Sequence, residues 1–309
     1  MSYSLAMVGI GRAQSYPPIT ANERLVGIAY TTWHRSTNWS HVWGHPELGD
    51  YVSTNRAIIR QHAEWLSDAG VDFVLVDWSN NIQHPPGDRT SSSSQTMIEN
   101  ATYAMFDVFA SMPHAPKISI MLGVTLHPEA VTNGLLQRKV DQVYRDFVGN
   151  PRFQPLVQDY LGKPLLVIYV NTPSPFSRGV PDWNDSRFTV RWMTGYVAQQ
   201  PELCAPGLIS QYGYWSWEDR QRQTYPVFDG HPEVMTVVPC WRGEGAPLPS
   251  QVGVMGKHLR SNGRGPRKSA PSLPWWFHGM NGRSASSRML KRARTLSLLK
   301  RSVIFISIC

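Results

Sequence analysis

The stretch Gly70-Val-Asp-Phe-Val-Leu-Val-Asp-Trp-Ser-Asn-Asn81 restricts the folds open to this chain. Val71, Phe73, Val74, Leu75 and Val76 form a short apolar, β-branched run, the pattern of a strand buried on both faces. Where that run stops, Asp77, Trp78, Ser79, Asn80 and Asn81 follow together. A carboxylate, an indole and two amides just past a buried parallel strand mark the end at which α/β barrels carry their chemistry. The residues before it, Thr54–Ala69, read as a helix: Ile58, Ile59, His62, Trp65 and Leu66 recur at helical spacing and Gly70 supplies a stop. An Asp that caps the next turn and a Trp that fills the core is the other reading of the same residues.

The same unit recurs along the chain. Further strands are expected at Leu25–Tyr30, Lys117–Val124, Lys163–Val170, Gly207–Tyr212, Glu233–Pro239 and Val303–Ile308. Helices are expected at Met97–Met112, Gln137–Val148, Phe188–Gln199 and Arg288–Lys300, and Pro85–Ser94 reads as a Pro/Ser-rich loop. Strands alternating with helices build parallel βαβ units. A chain of 309 residues suits one barrel of about 250 residues plus insertions. The expectation is an α/β fold, a (β/α)8 TIM-barrel-like domain over residues 23–309 behind an N-terminal extension, 1–22. Seven strands are counted where a closed barrel has eight, so the barrel is expected to be incomplete at its C-terminal end.

Charge divides the chain. Residues 1–244 carry 18 Lys/Arg and all 22 Asp/Glu, whereas 245–309 carry 12 Lys/Arg and no acid. The basic character belongs to an atypical C-terminal segment attached to a net acidic body. That distribution, with no aromatic interleaving in the segment, argues against a nucleic-acid platform and against an anionic membrane surface. No run of apolar residues is long enough for a transmembrane helix, and Met1–Gln14 makes a poor signal peptide, leaving the compartment open. Cys204, Cys240 and Cys309 lack metal-ligand spacing, and His34, His41 and His45 in a Trp-rich loop match no recognised zinc pattern. No metal and no cofactor are expected. Asn38, Asn100 and Asn184 open Asn-x-Ser/Thr triplets, which matter only on a secreted chain.

Several of the expected strands end in Trp or Tyr with a polar neighbour. Trp33, Trp78, Trp215, Trp217 and Trp241 all fall just past apolar runs. Indole faces stack on the C–H faces of sugar rings while nearby N–H, amide and carboxylate groups bond hydroxyls. The expected sugar-binding set is Tyr30, Trp33, His34, Trp78, Asn80, Asn81, His127, Tyr169, Trp215, Trp217 and Trp241. Glycoside cleavage needs two carboxyl groups across the scissile bond. Asp77, Glu129 and Glu218 are the candidates, with Asp219 beside Glu218 read as a helix cap.

Tyr30-Thr-Thr-Trp33, Pro46-Glu-Leu-Gly-Asp-Tyr-Val-Ser53, Ala69-Gly-Val-Asp-Phe-Val-Leu-Val-Asp-Trp78 and Gly162-Lys-Pro-Leu-Leu-Val-Ile-Tyr169 together resemble the glycoside hydrolase family 99-like proteins. Leu126-His-Pro-Glu129 is similar to that family's His-x-Glu-Pro-Tyr, with the residues in a different order. The resemblance spans roughly residues 25–245. It implies a (β/α)8 barrel related to the endo-α-mannosidases and to the family 71 α-1,3-glucanases, with a site for α-linked oligo- or polysaccharide; a monomer is expected. The family's late strand, which ends in an Asn-Glu-Trp-type motif, would correspond to Val303–Ile308, and the chain stops at Cys309. A truncated or frame-shifted product without turnover, its sheet either exposing one unpaired edge or closing over a gap, is therefore one expectation. A carbohydrate-binding barrel that never cleaves is the alternative.

Overall fold

The computed structural model describes residues 25–35, 39, 46–170, 183–196, 214–218, 227–228, 231–237 and 303–306. For 194–196, 214, 216–218, 227–228, 231–232, 235–237 and 303–306 it describes the backbone alone. In chain order the elements begin β1 (Leu25–Tyr30), α1 (Arg56–Asp68), β2 (Phe73–Trp78), α2 (Ser94–Phe109), β3 (Lys117–Gly123) and α3 (Leu135–Val143). They continue through the two-residue β4 (Asp159–Tyr160), β5 (Lys163–Val170), β6 (Thr189–Tyr196) and β7 (Tyr214–Glu218). The short β8 (Val227–Phe228) and β9 (His231–Pro232) precede β10 (Val234–Val237) and β11 (Val303–Ile306).

Among the described residues, nine of these strands form one curled sheet: eight run in the order β10-β11-β1-β2-β3-β5-β6-β7 with every neighbouring pair parallel, and β4 pairs antiparallel with β5. All six residues of β2 are buried, so the apolar run at its centre is covered on both sides. Along β1, β2, β3, β5 and β6, alternate residues enter two separate cores. Val74, Val76 and Trp78, with Ile120, Leu166, Ile168 and Trp192, pack under α1, α2 and α3. Phe73 and Leu75, with Ala29, Met121, Val167, Met193, Trp215 and Val234, fill the concave side, where strands alone supply the core. Gly27 is required there: a Cβ at that position would lie 2.3 Å from the Phe73 ring.

The helices begin and end where local chemistry directs. Asn55 caps α1 by accepting from the backbone N–H groups of Ala57 and Ile58. Gly70 leaves the helix at a φ of 79°, a left-handed conformation that glycine adopts without a Cβ clash. Ser93 caps α2 by accepting from Thr96 N–H, so that helix starts three residues before the apolar periodicity does. The strand starts are closed by a buried polar plug. Arg191 donates to both oxygens of Glu233 at 2.7 and 2.9 Å, and Tyr160 Oη and Trp215 Nε1 donate to the same carboxylate at 3.0 Å each. Because Trp215 lies in β7 and Glu233 directly precedes β10, this bond joins the two ends of the sheet order.

Two expectations need correction. Phe188–Gln199 is not a helix: Thr189–Tyr196 is the strand β6. Its inward Arg191 pairs with Glu233, and that polar residue inside an apolar run mimics the exposed side of an amphipathic helix. Nor is Val303–Ile306 an unpaired edge, since β11 pairs in parallel with β10 on one side and β1 on the other. The expected strand Gly207–Tyr212 and the expected helix Arg288–Lys300 lie outside the described residues. No helix among the described residues is long and apolar enough to cross a membrane.

Candidate functional site

A cleft of about 790 Å³ opens at the C-terminal ends of β1, β2 and β3. Trp33, just past β1, forms one wall and Leu126 and His127, just past β3, form another. Between them lie Ser79, Asn80, Gln83 and His84 from the segment after β2, with Asp88, Ser91 and the first residues of α2. Trp33 is 42% exposed and Leu126 74%, and Ile82, Pro85, Met97 and Ile98 add apolar surface to the polar lining.

Asp77 anchors the start of the loop that lines the cleft, through Ser79. Alternation along β2 places Asp77 with Phe73 and Leu75 on the concave side, at the open end of the strand. It is 4% exposed, and its Oδ1 accepts the backbone N–H of Ser79 at 2.7 Å. Burial raises its pKa, opposed by the bonds from Ser79. The turn is closed by Asn81 N–H donating to the Trp78 carbonyl at 2.9 Å. Gly123 makes room for it, because a Cβ there would sit 2.3 Å from the Ser79 carbonyl oxygen.

An ion pair ties this loop to two helices. Lys139 Nζ of α3 donates to Glu99 of α2 at 2.5 Å, to Gln142 Oε1 at 2.9 Å and to the His84 carbonyl at 3.0 Å. Asn81 Nδ2 donates to the Gln95 carbonyl at 3.0 Å and to Glu99 Oε1 at 3.2 Å. Burial lowers the pKa of Lys139, and the Glu99 carboxylate works against that shift. His84 Nε2 lies 3.2 Å from the Asp88 carbonyl and 3.3 Å from Thr96 Oγ1. Asp88, held down to about 2 by Ser91 and the N–H groups of Thr90 and Ser91, stays ionised.

The expected site residues separate into groups. Trp33, Asn80 and His127 line the cleft, whereas Asp77 and Glu129 do not line it and are joined to it through Ser79 and His127 respectively. Tyr169 is in register with Gly123, on the next strand round the concave side. Trp78 is elsewhere: one residue beyond Asp77 it faces the helices, has no exposed surface, and donates Nε1–H to Thr102 Oγ1 at 2.8 Å. Asn81 is likewise buried against α2. Trp215 is also fully buried; it lies near the start of β7 in the plug at the other end of the sheet, not past a strand end.

Tyr30 and His34 belong to an aromatic layer over α1. The His34 ring stacks on Trp39 at 4.1 Å, Tyr51 meets both edgewise, and Tyr30 Oη lies 2.7 Å from His62 Nδ1. Trp217 and Glu218 fall in β7, where the backbone alone is described, and Trp241 lies outside the described residues. Gln83, His84 and the serines before α2 were missed. Their signal was the Pro/Ser-rich composition of Pro85–Ser94, which marks a loop without saying what it faces. Among the described residues no group of three or more His, Cys, Asp or Glu converges on a metal position; His41 and His45 lie outside those residues.

No protein-family model matches the sequence, and no curated protein matches it. Among solved structures, the family 99 endo-α-mannosidase of Bacteroides thetaiotaomicron in complex with bis-tris-propane is similar at 16% identity and a TM-score of 0.43, over 63% of this chain and 59% of that one. A second structure described as that enzyme aligns at 15% identity and a TM-score of 0.41, over 63% and 62%. A glycoside hydrolase-like protein aligns at 16% identity and a TM-score of 0.38, over 58% and 54%. In each case the matched region spans less than two thirds of the other chain.

Proposed function

We propose that this chain is a carbohydrate-active protein of glycoside hydrolase type, a closed eight-stranded (β/α) barrel that binds α-linked oligo- or polysaccharide in the cleft past β1–β3. The observation that carries this reading is the chemistry of the lining. An exposed indole, Trp33, stands over hydroxyl and amide groups from Ser79, Asn80, Gln83, Ser91 and Gln95. No Lys or Arg is among the described lining residues, and Asp88 is the one carboxylate, engaged by its own loop. A phosphate or a nucleic acid calls for cations at the contact. A neutral, hydroxyl-rich ring calls for an aromatic face and uncharged donors and acceptors.

Cleavage is a second reading, favoured by one observation. Asp77 is a buried carboxyl whose pKa is raised, the state a general acid needs, with Glu129 or Glu218 as the second carboxyl. Calorimetric titration with α-linked mannan and glucan fragments tests the binding reading. Trp33→Ala should weaken binding by about 1 kcal/mol, the scale of one aromatic contact, with thermal stability unchanged. Equal affinity in the two proteins would remove Trp33 from the site. Release of phenol from aryl α-glycosides by the unmutated chain separates cleavage from binding alone.

A further inference from the structure

The imidazole of His127 is shared in a way that fixes where its proton sits. Its Nδ1 lies 3.1 Å from Glu129 Oε1 and 3.0 Å from Gln83 Nε2. A carboxylate only accepts, so a bond to Glu129 requires a proton on Nδ1. The Gln83 amide nitrogen only donates, so a bond from it requires a lone pair on Nδ1. One nitrogen does not satisfy both. The charge of Glu129 outweighs the amide dipole, and charge-assisted bonds are about twice as strong as neutral ones. Gln83 then turns its amide so that its carbonyl oxygen meets the shared N–H. That exchange of amide atoms is an assignment made from the hydrogen-bond network.

The backbone holds the pair in place. His127 N–H donates to the Val124 carbonyl at 3.2 Å, its own carbonyl accepts from Ala130 at 2.9 Å, and Pro128 starts a 3-10 turn that carries Glu129. With Nδ1 protonated, neutral His127 keeps its lone pair on Nε2. Among the described residues nothing bonds that atom, and the ring forms part of the cleft wall.

We propose that His127 is the cleft's proton acceptor: Nε2 accepts a hydrogen bond from a hydroxyl of the bound ligand, and Glu129 is the positioning residue that keeps the acceptor lone pair there. This rests on the reading of the cleft as a sugar site, and it moves Glu129 from the reacting bond to a place behind His127.

Two measurements on the whole chain test this. Nitrogen-15 spectra of the histidine rings at about pH 8 should show the Nδ1–H form for His127, changing to the ordinary Nε2–H form in Glu129→Gln. Affinity for α-linked mannan and glucan fragments should fall about three- to tenfold when the group at the Nε2 position is removed, the worth of one hydrogen bond. His127→Gln, which offers an acceptor near the Nε2 position, should bind as the unmutated chain does. His127→Asn, which keeps only the Nδ1 side, should show that loss. An Nε2–H form in the unmutated chain, or full affinity in His127→Asn, would overturn the proposal. If neither fragment binds, the sugar reading fails, and the tautomer of His127 decides the proposal independently.

Discussion

Lowering the pH should unfold this protein through His62, by an amount that the structure sets. His62 Nδ1 lies 2.7 Å from Tyr30 Oη, and its ring is enclosed by Tyr30, Tyr51 and Trp65 at 5.4 to 6.0 Å. The neutral ring accepts the Tyr30 O–H. Burial, and after it the neighbouring His34, brings the His62 pKa down to about 4. In the unfolded chain the value is about 6.5. A histidine depressed on folding binds its proton more readily in the unfolded state, so its contribution is intact above about pH 6.5 and declines as pH falls towards 4. Each pH unit is worth 1.36 kcal/mol, giving a loss of about 3 kcal/mol between those limits. Burial lowers the His34 pKa as well, and that adds in the same direction. Urea unfolding at a series of pH values measures this. His62→Gln keeps an acceptor for Tyr30 and does not titrate, so its stability should fall by about 3 kcal/mol less than that of the unmutated chain over the same range. Parallel acid limbs in the two proteins would refute the argument.

Trp78 and Lys139 give tests of packing. Trp78→Ala should cost about 3–5 kcal/mol in urea unfolding, as a fully buried indole replaced by a cavity; a cost below about 1 kcal/mol with a loss of sugar affinity would return Trp78 to the cleft. Lys139→Met should cost about 3–5 kcal/mol at neutral pH because Glu99 is left charged and buried. Part of that cost should return when Glu99→Gln is added, and a strictly additive double mutant would mean the pair is not coupled.

The strands read most clearly in the sequence were those buried on both faces. Phe73–Val76 and Leu165–Val170 show unbroken apolar runs because helices cover one side and the concave core the other. β6 was hidden by Arg191, a charge whose partner Glu233 is 42 residues away in the chain, and no local pattern reports such a pair. The end of β2 was recognised as a polar mouth, but position alone did not separate Asp77 from Trp78. The period of two did: it sends Asp77 to the concave side and Trp78 under α2, where Thr102 takes its N–H. Tyr30 was displaced from the cleft by the same alternation. Gln83 escaped notice because what it does depends on reaching His127 across the cleft, a contact between two loops.

The central claim, a sugar held against Trp33, is tested most directly by following the indole N–H signals while α-linked mannan or glucan fragments are added. Trp33→Phe identifies the Trp33 signal by its loss. The account predicts that this signal shifts saturably with ligand. Those of Trp78, bonded to Thr102, and of Trp215, bonded to Glu233, should stay fixed. A Trp33 signal unmoved at saturating ligand would contradict it.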